Sequence, residues 1–235
     1  MKNTTLFLAA LVTTVALTAC SDQATPASKT AAANSNAAAE INAPAGRYKL
    51  DPNHASVSFM VNHVGLSNYV AWFTDFDIAV DLDPADLAAS SVTASINPFS
   101  ITTDYSGDFK ATHKDSPYSS WEEDLARSPK FFNADEHPKI SFTSNKVEAT
   151  GKTTAKIHGD LSLLGQTHPV VLDAQVVGSV AKHPFTGVGA IGFSAVGHFK
   201  RSDFGMNHLL QPLLIGDQVT VRFEGEFQQI QETAE

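Results

Sequence analysis

Trp72-Phe73-Thr74-Asp75-Phe76-Asp77-Ile78-Ala79-Val80-Asp81-Leu82 is the stretch that decides the fold class. Trp72, Thr74, Phe76, Ile78, Val80 and Leu82 share one parity; Phe73, Asp75, Asp77, Ala79 and Asp81 share the other. A period of two with acids on one side reads as a single strand with one buried and one wet face. Asp83-Pro84 ends it. Val57, Phe59, Val61 and His63 alternate in the same way with Ser56, Ser58, Met60 and Asn62. Further runs follow at 92–101, 140–144, 157–164, 170–180, 190–200 and 219–227, for eight or nine strands in all. Turn signals separate them, among them Leu164-Gly165-Gln166 and Ile215-Gly216-Asp217. No long amphipathic helical pattern lies between strands, which argues against a parallel βαβ sheet. The expectation is an all-β antiparallel barrel or sandwich.

Residues 104–127 interrupt the series and are polar. Ser119 and Glu122 stand at N-cap and N3 spacing, which predicts a short helix over 121–127 stopped by Ser128-Pro129. Two readings of this excursion stay open: a cap over one barrel end, and a dimer arm.

The first 45 residues are a different material. All 14 glycines lie at or after Gly46, and Phe7 is the only aromatic before it. Lys2 precedes a nearly uninterrupted apolar run over 6–16, too short for the ~20 residues of a bilayer-spanning helix but of signal-peptide length. It ends Leu17-Thr18-Ala19-Cys20, which resembles the bacterial lipobox, and Cys20 is the only cysteine in the chain. The expectation is a lipoprotein: residues 1–19 removed, and Cys20 acylated as the membrane anchor. Ser21 after it favours the outer membrane under the sorting rule of enteric-type bacteria, and Asp22 weighs against that. Residues 20–46 read as anchor and tether, rich in Ala, Ser, Thr, Asn and Pro; as a flexible coil the tether reaches about 25–30 Å. Residues 47–235 form the barrel domain.

Among 235 residues, 25 are acidic and 16 are Lys or Arg, a formal charge of −9 that becomes −10 once Lys2 is removed. Phosphate binding needs clustered cations, so a nucleic-acid surface is not expected. One cysteine excludes a disulfide framework and a multi-cysteine metal site. The nine histidines are scattered without zinc-protease spacing. Gly192-Phe193-Ser194-Ala195-Val196-Gly197 is not a nucleophile elbow, and no phosphate-binding glycine loop appears. The acidic strip Asp75, Asp77, Asp81 and Asp83 is explained as a solvated strand face. No catalytic residue, metal or obligatory cofactor is expected, and the chain reads as a protein that is not an enzyme.

Four blocks carry a family resemblance. They are Asp51-Pro52-Asn53-His54-Ala55 leading to Phe59-Met60-Val61-Asn62-His63, Phe131-Phe132-Asn133 with His137-Pro138-Lys139-Ile140-Ser141-Phe142, and His158-Gly159-Asp160-Leu161-Ser162-Leu163 with Gly165 and Thr167. The fourth joins Ile191-Gly192-Phe193-Ser194-Ala195, Lys200-Arg201-Ser202-Asp203-Phe204-Gly205-Met206 and Ile215-Gly216-Asp217-Gln218-Val219. In this order they resemble the YceI-like family of lipocalin-like polyisoprenoid-binding proteins, over roughly residues 47–229. The family commonly carries a His-Leu pair in the central excursion, where this chain has Asp124-Leu125 and a longer stretch.

The resemblance implies an elongated up-and-down β-barrel of about eight strands around a slender apolar ligand, a polyprenyl or quinone-type lipid. On strand parity the expected lining is Val57, Phe59, Val61 and His63, then Trp72, Phe76 and Ile78, with Phe142, Phe193, Phe204, Leu209 and Leu213. His63 or Arg201 is expected to meet a polar head group. Plain core packing is the alternative for each aromatic. The leading expectation is a periplasmic, membrane-tethered lipid carrier or store. The alternative is a solid-barrel interaction or stress-response module with its partner surface at 104–127. A homodimer is compatible with the resemblance. Cys20→Ser is expected to abolish palmitate labelling of the protein and to move it from the membrane to the soluble fraction.

Overall fold

The computed structural model describes residues 40–210 and 214–231. Cys20, the leader, most of the tether and Leu213 lie outside them. Ten strand segments run β1 Gly46–His63, β2 Ser67–Phe73, β3 Phe76–Leu82, β4 Ser91–Ile96, β5 Ile101–Thr102, β6 Ile140–Ala149, β7 Thr154–Leu163, β8 Gln166–Val180, β9 Ala190–Lys200 and β10 Ile215–Gln229. All pairings are antiparallel, and β10 returns to pair with β1, so the sheet closes into a barrel. Closure leaves no long open edge to recruit another chain.

Ten segments make eight staves. β2 pairs with the upper half of β1 and β3 with its lower end, so β2 and β3 are one broken stave. β4 pairs with β3 and β5 with β2, which makes a second broken stave. The continuous strand expected over 72–82 is therefore corrected: it breaks at Thr74-Asp75. Neither residue is a strong breaker, and the interruption is held from the neighbouring stave. Asn97 donates its amide to the Asp75 carbonyl at 3.0 Å and its side-chain NH₂ to the Asp75 carboxylate at 2.8 Å; Thr74 N donates to Ser100 O at 3.1 Å.

A bulge in β1 matches this break. β1 advances from Leu50 to Ala55 while β10 moves only from Phe227 to Gly225. Asp51-Pro52-Asn53-His54 stand opposite the single residue Glu226, an excess of three, and are folded by Asn53 N donating to the Asp51 carboxylate at 2.9 Å. The odd offset reverses which parity faces inward. Tyr48 and Leu50 are buried below the bulge, and Val57 lies inward above it.

The lower end is sealed. Tyr48, Phe227, Ile191 and Leu82 are almost fully buried there, and Tyr48 donates its hydroxyl to Pro44 O at 2.6 Å. Ala43 is 2% exposed and Ile41 packs on the core, so the packed domain starts earlier than residue 47. The upper end carries the excursion, with α1 Phe109–Thr112 and α2 Trp121–Arg127. Helix α2 has the expected bounds, but its cap is one residue later: Ser120 accepts from Glu123 N at 3.1 Å, and Glu123 accepts from Ser119 N at 2.8 Å. Residues on both sides of α2 line the barrel interior, so within one chain the excursion is a cap over that end. Phe132 wedges between Phe59 and Phe73, with ring centroids 5.7 and 5.5 Å away.

Inward positions on β7 and β9 are taken by Gly159 and Gly197, where a neighbour's side chain folds over the strand. A Cβ on Gly159 would strike the Phe142 ring and come within 2.6 Å of Thr143 O. A backbone carbonyl in a closed sheet has nowhere to go. Gly159→Ala is expected to lower the unfolding free energy by about 2–3 kcal/mol in urea titration. Gly178→Ala, with nothing within 4 Å of the added carbon, is expected to change it little.

Candidate ligand cavity

The barrel encloses a cavity of about 1430 Å³. Drug-sized ligands occupy pockets of roughly 300–1000 Å³, so this space has room for a longer molecule. It stays open because most inward positions carry small or medium side chains: Val80, Val92, Ala94, Val170, Ala174, Ala195, Val219 and Val221. Its lower part is floored by aromatics, with Phe193 and Phe223 each packed on Phe227 at 5.5 and 5.8 Å.

Val57, Phe59, Val61, His63, Ile78, Phe142, Phe193, Arg201 and Leu209 lie on this lining. Three expected positions do not. Trp72 is half-buried on the outer face, because the odd parity of β1 passes through the Val57–Phe73 pair and turns Phe73 inward instead. Phe76 sits at the stave break, packed on the core but off the lining. Phe204 is 1% exposed and is wedged against Phe199 and His168, outside the cavity. The solid interior expected under the interaction-module alternative is corrected, since the barrel is hollow.

Arg201 has a different task from the expected head-group contact. Its guanidinium donates to the carbonyls of Gly216, Met206, His208 and Ile215 at 2.8–3.0 Å. Asp217 accepts from Ser202 N and Oγ at 3.0 and 2.9 Å. The Lys200–Met206 and Ile215–Val219 blocks are thus one knot. Its turn is completed by Gly205, whose φ of 82° is a left-handed conformation that suits glycine.

The upper end of the cavity is polar. Tyr69, Tyr105, His113, Lys114, Asp115, Asp124, Lys130 and His208 line it. Tyr69 and Tyr105 stack at 4.7 Å, and Tyr105 accepts from Val70 N at 3.0 Å. Burial pushes the Tyr69 hydroxyl up, helped by the nearby Tyr105, Glu122 and Asp124. Burial also raises the Asp124 carboxyl above its usual range, against the pull of His113, Lys130 and His208. His208 is held low by burial, then by Lys130 and Arg201. Lys130 and His208 carried no signal in the sequence, because their roles arise from two loops meeting. The substitution of Asp124 for the family's histidine was such a signal.

On the outer surface near the sealed end, Asp51, His54 and Glu226 bring potential ligand atoms within 4.8 Å of one another. The Asp51 carboxylate is already engaged by Asn53, His54 and Gln228, and these contacts hold the β1 bulge.

A closed antiparallel barrel of eight staves with a hollow, largely apolar interior defines the lipocalin-like class of binding barrels. The YceI-like domain matches residues 48–227, and the chain belongs to that family. It is 35% identical to protein YceI of Escherichia coli O6:H1 over 172 residues, which is 72% of this chain and 81% of the relative. The crystal structure of the Campylobacter jejuni YceI protein superposes with a TM-score of 0.60 at 26% identity, covering 72% of this chain and 90% of that one. A polyisoprenoid binding domain from Saccharophagus degradans has the same fold, with a TM-score of 0.53 at 13% identity over 78% and 98% of the two chains.

Asp124 also gives a pH signature. Its folded-state pKa is raised, so its ionised form disfavours the fold. The penalty is absent below the unfolded value of about 3.9 and complete above the folded value. Asp124→Asn is expected to melt higher than wild type at pH 7.5, with the difference closing below about pH 3.5 in thermal scans across pH.

Proposed function

We propose that the protein is a membrane-tethered periplasmic binding protein for a polyisoprenoid or similar long-chain lipid, acting as a carrier or store. The observation that carries this reading is the apolar cavity of about 1430 Å³, sealed at one end by Tyr48, Ile191 and Phe227. An apolar space of that size, bounded by Val, Ala and Phe side chains, offers water few partners and a hydrocarbon chain a full complement of contacts. Burial of a tail contributes about 25 cal/mol per Å², which binds a long chain without directional contacts. That accords with the dearth of polar groups below the rim. The name of the Saccharophagus degradans domain supports the same ligand class.

The lipobox ending at Cys20 supports the tether. Residues 41–46 join the barrel at its sealed end, so the polar mouth lies at the opposite end from the chain's attachment.

Native mass spectrometry of the full chain, extracted gently from its own membranes, is expected to show a co-purifying long-chain lipid. Ala195→Trp, which places an indole on the lining, is expected to lose that adduct while keeping the far-ultraviolet circular dichroism of the wild type. Wild-type protein free of lipid under every gentle extraction overturns the reading.

A further inference from the structure

Once a hydrocarbon tail is assigned to the lower cavity, two polar groups at its upper end remain without a task. The Tyr69 hydroxyl is buried and has no hydrogen-bond partner among the described residues, although its ring is fixed against Tyr105. A buried hydroxyl left unpaired costs about 1–3 kcal/mol, and such a group in a cavity wall points to something that fills it. Asp124 lines the same end from α2. Its backbone amide and carbonyl are used by Ser120 and Ser128, but among the described residues its carboxyl accepts no hydrogen bond. Tyr69 from β2 and Asp124 from α2 line the same end of one cavity, and Asp124 is among the charges that act on the Tyr69 hydroxyl.

The surrounding charges are mixed in sign: Lys114 and Asp115, which line the same end, are opposite charges next to each other in the chain. Arg201 is spent on four carbonyls. Burial, then Lys130 and Arg201, lower the His208 pKa and so disfavour its cationic form. Glu122, beside Tyr69, is engaged by the Thr103 hydroxyl. Lys130 and His113 face Asp124 and offset its charge.

We propose that Tyr69 and Asp124 form a head-group site for an uncharged, hydroxyl-terminated long-chain lipid, selected over phosphorylated or quinone heads. This rests on the lipid-binding reading of the cavity. A ligand hydroxyl donates to the Asp124 carboxylate and accepts from the Tyr69 O–H, so both idle groups are satisfied at once. An ionised phosphate brings like charge against Asp124, and a quinone offers two acceptors and no donor for it. A site built to pair a hydroxyl rejects analogues that lack one, because its own groups are then left unpaired.

The test uses full-length protein stripped of lipid, with a long-chain polyprenol, the matching polyprenyl phosphate and a long-chain ubiquinone as probes. Each competes at pH 7.5 against a fluorescent fatty-acid probe. Wild type is expected to bind the polyprenol at least about tenfold more tightly than either competitor, the scale of one charge-assisted hydrogen bond. Asp124→Asn is expected to shrink the gap to the phosphate to within about threefold, and Tyr69→Phe to weaken the polyprenol about tenfold while leaving the phosphate unchanged. Asp124→Ser serves as a second variant, with the same expectation. Equal binding of all three probes, a wild-type preference for phosphate or quinone, or a preference that persists in the Asp124 variants overturns the head-group assignment and leaves lipid binding standing. No binding of any probe overturns the lipid reading itself.

Discussion

Side chains alternate across a strand with a period of two, so each stave of a closed barrel must keep its apolar set turned inward along its whole length. This chain meets that constraint by reversing parity at one level in three adjacent staves. The Asp51–His54 bulge reverses β1, the Thr74-Asp75 break reverses the β2–β3 stave, and the turn at Pro98–Ser100 reverses the β4–β5 stave. The reversals are tied together: Asp75 takes two hydrogen bonds from Asn97, and Ser100 O takes one from Thr74. Had one stave kept its parity, its acids would face the interior and its aromatics the solvent. The residues that looked like a family signature at Asp51-Pro52-Asn53-His54 are therefore explained by backbone geometry, and so are Arg201, Ser202 and Asp217 at the upper end.

The two ends of the barrel differ. At the lower end, large side chains meet and seal it. Between that seal and the mouth, small residues on staves both below and above the reversal leave space, and Phe132 from the excursion enters beside Phe59 and Phe73 without filling it. Packed cores do not ordinarily leave a void of this size. Nor do they ordinarily leave a buried hydroxyl and a carboxyl idle. Both occur at the cavity; among the described residues the other buried side-chain atom without a hydrogen-bond partner is His158 Nε2, away from the lining. Structural cost concentrated at one place in an otherwise consistent fold marks where function acts.

Much of this was legible beforehand, and unevenly so. The strands, their antiparallel arrangement and the bounds of α2 follow from period-two alternation, turn residues and capping spacing; closure of the sheet and the lining by Val57, Phe59, Val61 and Ile78 were what the family resemblance implied. Trp72 was misassigned because a tryptophan and a phenylalanine stand side by side and no glycine or proline marks the break after them. Alternation says that two faces differ; it does not say which face is inside once a bulge intervenes. Helix α2 was placed correctly but capped one residue early, since Ser119 and Ser120 both precede a glutamate at the right spacing.

The sequence by itself determined the local physics: which segments extend, where they turn, that the chain is acidic in balance, and that an apolar run near the N-terminus is followed by the single cysteine. Those are properties of neighbours in the chain, and short-range sterics and solvation suffice to express them. Only the tertiary structure decided that the barrel is hollow, that Phe73 rather than Trp72 faces the cavity, and that Tyr69, Asp124, Lys130 and His208 meet at its mouth. A cavity is what remains after all the staves have packed. A cluster drawn from β2, α2 and two loops is set by closure of the sheet, so no window of sequence contains either one.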